Sequence, residues 1–235
     1  MTMFDGLIDR LLPFRGDVFR NIPSLITSED LLDDLSDDPA DRSFGEALID
    51  EARESPPDLS PIITRPFAYG VGIGAGPAGP HATRFSDGTR FGVWYGSRDL
   101  ATTLHETLYH WKRRLANMMA EPVGEQVSER RVFRVQAEGL LVDLRGKRGT
   151  FPMLLDPLDY GFSQAVGAYL HDQGQNGLII ESARHSEGVN IASFRPDILS
   201  RVRHYGYLVY RWRPGEERVR IEKATGRTWR TLPWA

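Results

Sequence analysis

A cluster of prolines at Pro56, Pro57 and Pro61 divides the chain into two parts with different hydrophobic periods, and this limits the fold more than any other feature. Downstream, short runs rich in β-branched and aromatic residues read as strands: Ile62 to Phe67, Phe91 to Tyr95, Val132 to Val135, Leu140 to Val142, Leu178 to Ile180, Asn190 to Phe194, Tyr205 to Trp212 and Arg218 to Glu222. Two longer stretches break this series with helical spacing. From Asp99 to about Met118, the side chains Leu100, Leu104, Leu108, Trp111 and Leu115 form one stripe; from Phe162 to Asp172, Phe162, Val166 and Tyr169 form another. Clustered strands with few long helices predict an α+β fold and not a regular βαβ series.

Upstream, Leu7, Leu11 and Leu12, then Leu31, Leu32 and Leu35 behind the start signal Thr27-Ser28-Glu29-Asp30, predict short helices, with a third over Phe44 to Arg53. Residues 1–58 are therefore expected to form an acidic helical extension, and residues 59–235 the main domain. Glu29 to Asp41 holds seven acidic residues and no basic one, the pattern of a solvated helix face or of a docking surface for a basic partner.

Composition removes several classes of function. With no cysteine there is no disulfide framework, thiol nucleophile or Cys-ligated zinc, which agrees with a reducing cytoplasm. Asp5, Asp9, Arg10, Arg15 and Asp17 interrupt the apolar residues of the first segment, so it does not read as a signal peptide. No stretch has the apolar length of a membrane span, and a net charge of −3 gives no reason to expect direct nucleic-acid binding. Self-association is left open.

The run Gly70-Val71-Gly72-Ile73-Gly74-Ala75-Gly76-Pro77-Ala78-Gly79-Pro80 has the spacing of a phosphate loop but lacks the helix that such loops need, because Pro77 and Pro80 follow. It reads as an ordinary loop or as one beside a ligand. His105 and His110 are five residues apart and turn away from each other on a helix, so no metal site is expected. Ser182 and His185 lack the nucleophile-elbow context of a serine hydrolase.

A scattered polar set remains: Arg65 on the first predicted strand, Arg84 before a turn, Tyr95 ending a strand, Glu106 on the following helix, Ser182 ending a later strand and Asn190 opening the next. The segments that carry them are Thr64-Arg65-Pro66-Phe67, Thr83-Arg84-Phe85, Gly92-Val93-Trp94-Tyr95, Ala101-Thr102-Thr103-Leu104-His105-Glu106, Gly177-Leu178-Ile179-Ile180-Glu181-Ser182 and Val189-Asn190-Ile191-Ala192-Ser193-Phe194. In this order, from Arg65 to Phe194, they resemble the RES-domain family of NAD-consuming toxins. Thr83 stands where a glycine commonly precedes the second arginine, and the Gly70–Pro80 loop has no counterpart in the pattern.

The resemblance implies an ADP-ribosyltransferase-like fold, a pair of packed sheets with the dinucleotide in the cleft between them. It implies an enzyme that breaks the nicotinamide–ribose bond with water or phosphate as acceptor, so NAD+ is a substrate and no cofactor is required. It also implies an antitoxin partner of the helix-turn-helix repressor type. A protein ADP-ribosyltransferase and an inactive nucleotide- or partner-binding module are the alternatives. The residue types suit the chemistry. Breaking that bond builds positive charge on the ribose, which a carboxylate stabilises, and Glu106 is the candidate. Arg65 and Arg84 are candidate anchors for the diphosphate. Tyr95 offers a ring face, and Ser182 and Asn190 offer hydrogen bonds to the carboxamide or ribose.

Overall fold

In the computed structural model, which describes residue 4 and residues 6–24, 58–68, 82–118, 122–224 and 226–234, the first regular element is a strand. The Leu7, Leu11, Leu12 spacing predicts a helix, but a period of two takes over within the same segment. In β1, Leu11–Pro23, Phe14 and Val18 are buried on one face while Arg15 and Asp17 are exposed on the other. The expected helical extension is thus corrected over Leu11–Pro23, which is a strand inside the main sheet. The helices expected near Leu31 to Leu35 and over Phe44 to Arg53, the acidic run Glu29 to Asp41 and the Gly70–Pro80 loop lie outside the described residues.

A second correction falls on Ile62 to Phe67, which is not a strand but part of helix α1, Ser60–Ala68. Asp58 caps its start, accepting from the Ser60 backbone N–H at 2.9 Å and from the Ser60 hydroxyl at 3.0 Å. Pro61 is tolerated in the first turn, where its missing N–H costs nothing. Leu59, Ile62, Ile63 and Phe67 pack on the core at helical spacing, so Arg65 is left on the outer face and exposed.

The remaining elements are β2 (Trp94–Ser97), α2 (Leu100–Met118), β3 (Gln126–Asp143), α3 (Gly161–Asp172), β4 (Gly177–Glu181), β5 (Val189–Ser193), β6 (Leu199–Trp212), β7 (Arg218–Ala224) and β8 (Arg227–Pro233). The two strands predicted over Val132 to Val135 and Leu140 to Val142 are one continuous strand of 18 residues. Its length explains the architecture. Along one edge β3 pairs with β6 from Gln126 to Ala137 and then, beyond the end of β6, runs parallel to β4 at Val142 and Asp143. Along the other edge it pairs with β1.

Among the described residues the result is one eight-stranded sheet, β1-β2-β5-β4-β3-β6-β7-β8, in which the added β1–β3 pairing closes the first five strands into a ring. A pair of separate packed sheets is expected from sequence; here β3 belongs to both halves, so the halves stay hydrogen-bonded. Side chains from all five ring strands meet in one cluster: Phe14 and Val18, Trp94, Val135 and Leu141, Ile179, and Ile191. Gly96 is required in this ring, because a Cβ there would lie 2.7 Å from Val18 Cγ1 and 2.7 Å from the Trp94 ring.

Each long helix covers a different part of the sheet. Leu104, Leu108, Trp111 and Leu115 of α2 pack on Val132, Leu208, Tyr210, Val219, Ile221 and Leu232, so this stripe seats the helix on the β6–β8 half. Burial of each such side chain contributes about 1.5–3 kcal/mol. Val166 and Leu170 of α3 pack with Leu178, Ile180 and Ala192 of β4 and β5. The polar flank of α2 is left facing the ends of β1 and β2. Among the described residues no helix is long and apolar enough to cross a membrane.

Candidate active site

A cleft of about 200 Å³ opens where α2 passes the ends of β1 and β2. Its described walls are Arg20, Asn21 and Ile22 of β1, Ala82 to Arg84, Tyr95 to Ser97 of β2, Thr103, Glu106, Thr107 and His110 of α2, and Tyr160. Glu106 is the one carboxylate among these described residues, and it shares the cleft with two arginines.

Glu106 is held from behind. Its Oε1 accepts from Ser182 Oγ at 2.7 Å and from Asn190 Nδ2 at 2.6 Å. Ser182 directly follows β4, and its hydroxyl also accepts the backbone N–H groups of Arg184 and His185, each at 3.0 Å. With those two donors fixed, the single hydroxyl proton has one direction left, towards Glu106. Asn190 is fixed in the same way: its Oδ1 accepts from Ser97 Oγ at 2.7 Å while its amide donates to Glu106. Ser182 and Asn190 are buried and form no part of the described cleft wall; the Ser182 proton goes to the carboxylate, and Asn190 serves both the carboxylate and the Tyr95 hydroxyl.

Tyr95 does reach the cleft. Burial, and then the negative charge of Glu106, push its hydroxyl pKa well above the ordinary value, so it stays protonated. Arg84 lies inside the tight turn closed by the Thr83–Ser86 bridge and is almost wholly enclosed. Its Nη1 donates to the backbone carbonyls of Leu154 at 3.1 Å and Asp156 at 2.9 Å, and its guanidinium lies 4.5 Å from the centre of the Tyr160 ring. These contacts fix the plane of a cation that lines the cleft.

The structure thus gathers Arg84, Tyr95, Glu106, Ser182 and Asn190 at one place and leaves Arg65 out. Arg65 is exposed on α1 and is absent from the described cleft wall, because that segment is a helix and its inward face is apolar. Arg20 stands in the cleft instead. Its Nη1 donates to the Tyr95 carbonyl at 2.8 Å and its guanidinium lies 5.3 Å from the Trp94 ring centre. The alternation of Phe14, Val18 and Arg20 along one strand face is the sequence signal that identifies it.

Behind the cleft lies a polar network that sequence reading does not reach. Asn21 donates to Tyr210 Oη at 2.9 Å and to Thr107 Oγ1 at 3.2 Å, and its Oδ1 accepts from Arg130 Nε at 3.0 Å. Arg130 is buried against these neutral groups, and that burial lowers its pKa to about 10. At neutral pH it is still a cation, behind a cleft that Arg20 and Arg84 also line. His105 and His110 go separate ways: His105 stacks on His185 at 4.8 Å between ring centres, while His110 lines the cleft.

Comparison with known proteins agrees with the part of the chain that builds this site. No curated protein matches the chain. Among solved structures, a chain of the M. tuberculosis MbcT–MbcA toxin–antitoxin complex is 11% identical, with a TM-score of 0.44 over 83% of this chain and 86% of that one. The RES domain model matches residues 56–213, which carry the Arg84 turn, β2, α2 and the β4–β5 pair with Ser182 and Asn190. Since that match spans well over half of the sequence, the chain belongs to the RES-domain family.

Proposed function

We propose that this cleft binds NAD+ and breaks its nicotinamide–ribose bond, using a small-molecule acceptor, water or phosphate, and releasing nicotinamide. The observation that supports this most is Glu106, a carboxylate clamped by Ser182 and Asn190 in a cleft otherwise lined by cations and neutral groups. As the carbon–nitrogen bond breaks, its electron pair neutralises the pyridinium and positive charge grows on the ribose. A fixed carboxylate stabilises that charge without having to reorganise. Arg84 and Arg20 suit the two charges of the diphosphate, and the protonated Tyr95 offers a ring and a donor to the nicotinamide side.

In this reading NAD+ is consumed and no cofactor is recycled, and the protein acts as the toxin of a toxin–antitoxin pair. Its antitoxin, of the helix-turn-helix repressor type, would cover the cleft. The test is incubation of the purified protein with NAD+ and chromatography of the products. Free nicotinamide together with ADP-ribose or its phosphate is expected. Intact NAD+, or ADP-ribose found only on protein, overturns the proposal.

A further inference from the structure

The cleft holds one ionisable side chain that this reading leaves without a task. His110 lies four residues after Glu106 on α2, so the two project from one flank of the helix into the same space. Unlike the stacked His105–His185 pair, in which His185 Nδ1 lies 2.9 Å from Thr102 Oγ1, His110 makes no hydrogen bond with the described residues. His110 is exposed, and its ring meets Tyr109 edge to face with 5.5 Å between ring centres.

The other groups in the cleft are committed. Thr107 donates its proton to the Thr103 carbonyl at 2.7 Å, Tyr95 is protonated, and Ser182 donates to Glu106. Glu106 has a conflicting demand. A carboxylate that stabilises positive charge on the ribose must stay negative as that charge develops, and taking a proton from the acceptor would neutralise it. A second group is needed if the acceptor brings a proton, and enzymes commonly separate such roles between two residues.

Resting on the function proposed above, we infer that His110 is a further catalytic residue, the base that takes a proton from an acceptor water, so that the reaction of this chain is hydrolysis. The water oxygen forms the bond to the anomeric carbon as the carbon–nitrogen bond breaks. The electron pair of that bond leaves on nicotinamide, and one water proton passes to the free imidazole nitrogen, later reaching solvent. The products are nicotinamide, ADP-ribose and one proton. Phosphate dianion, by contrast, carries its own nucleophilic oxygen and asks for no base.

The charges around His110 support this. Partial loss of hydration is the largest influence and disfavours the charged ring; Glu106 opposes it, and Arg184 on the β4–β5 turn, Arg113 on α2 and Arg130 on β3 add to it. The pKa therefore falls below the ordinary histidine value near 6.5. A neutral ring near pH 7 has the lone pair that a base requires.

The experiment measures nicotinamide release from NAD+ by the wild-type protein, His110→Gln and His110→Ala between pH 5 and 9, in phosphate-free buffer and with added phosphate. Removal of a general base is expected to lower kcat in phosphate-free buffer by about a hundredfold or more with KM little changed. The wild-type rate falls at acid pH as His110 gains a proton, both variants lack that limb, and free imidazole restores part of the His110→Ala rate. NMR titration of His110 in the intact wild-type protein should give the pKa of the same limb. Three results overturn the inference while leaving NAD+ cleavage standing: variants as fast as wild type, wild-type release that depends on phosphate, or a His110 pKa unlike that of the limb. A wild-type protein that leaves NAD+ intact overturns the function and this inference together.

Discussion

The clamp on Glu106 makes a prediction that separates a group acting on substrate from one acting through a neighbour. In Glu106→Gln the amide oxygen can still accept from Ser182 and Asn190, so the shape of the site survives while its charge is lost. Hydrogen bonds to charged groups contribute about 1.5–3 kcal/mol against about 1 for neutral pairs, so the two bonds together weaken by about 1–4 kcal/mol, offset by a similar amount through the lower cost of burying an amide in place of a carboxylate. At about 2–4 °C per kcal/mol for a chain of this size, the melting temperature should move by only a few degrees. Nicotinamide release should fall by about a hundredfold or more, near 2.7 kcal/mol of barrier. Ser182→Ala has the opposite profile. It removes one charge-assisted bond and strips the Arg184 and His185 N–H groups of their acceptor, a loss of about 2 kcal/mol or more in stability. The rate should fall at least tenfold because Glu106 can then rotate out of place. If Ser182 works through Glu106, adding Ser182→Ala to Glu106→Gln should cost little further rate, a coupling of about 1.4 kcal/mol or more in a double-mutant cycle on kcat. Additive losses would assign Ser182 to the substrate, and near-normal release by Glu106→Gln would refute the catalytic role of the carboxylate.

Other expectations follow from the same geometry. Arg84→Lys loses the planar stack on Tyr160 and Arg20→Ala loses a cleft cation, so each should raise the KM for NAD+ tenfold or more, whereas exposed Arg65→Ala should leave steady-state kinetics unchanged. Gly96→Ala drives a methyl against Val18 and Trp94 inside the ring and should cost about 1–3 kcal/mol in denaturant unfolding, or more if the backbone cannot shift. The Asp143 carboxyl is held below the usual aspartate range first by its hydrogen bonds from the Arg145 side chain and, last, by the charge of Arg10. A depressed carboxyl stabilises the fold fully above its unfolded pKa and loses that contribution as pH falls through its folded one, so wild type should lose stability below about pH 4 more steeply than Asp143→Asn; parallel melting curves against pH would refute this.

The fold was legible where one period ruled a whole element. The stripe Leu100, Leu104, Leu108, Trp111 and Leu115 marks α2, and the apolar run Leu178 to Ile180 marks β4, because both segments bury the face their spacing advertises. It was illegible where two periods overlapped. Leu7, Leu11 and Leu12 imitate a helix, and only the alternation of Phe14 and Val18 beyond Pro13 reveals β1. Ile62 to Phe67 imitates a strand by its β-branched content, yet Asp58, Pro61 and the spacing of Leu59, Ile62, Ile63 and Phe67 make α1. The union of Val132 to Val135 with Leu140 to Val142 depends on partners on both edges, which no local pattern states.

For the site, sequence identifies residue types but not how their hydrogen-bonding capacity is used. Ser182 and Asn190 look like ligand contacts, since a strand-end serine and an amide can serve any polar partner; in the fold both donate to Glu106. The demand for a second cation is sound and its bearer differs, because Arg65 points away from the cleft and Arg20 points into it. Arg20 lies before the matched segment 56–213, so a fragment confined to those residues would keep Arg84, Tyr95 and the Glu106 clamp but lose one wall of the cleft. It would also lose β1, which pairs with β3 along 13 residues and closes the ring. The strand that supplies the second arginine is thus the strand that completes the fold, and the same residues serve binding and stability.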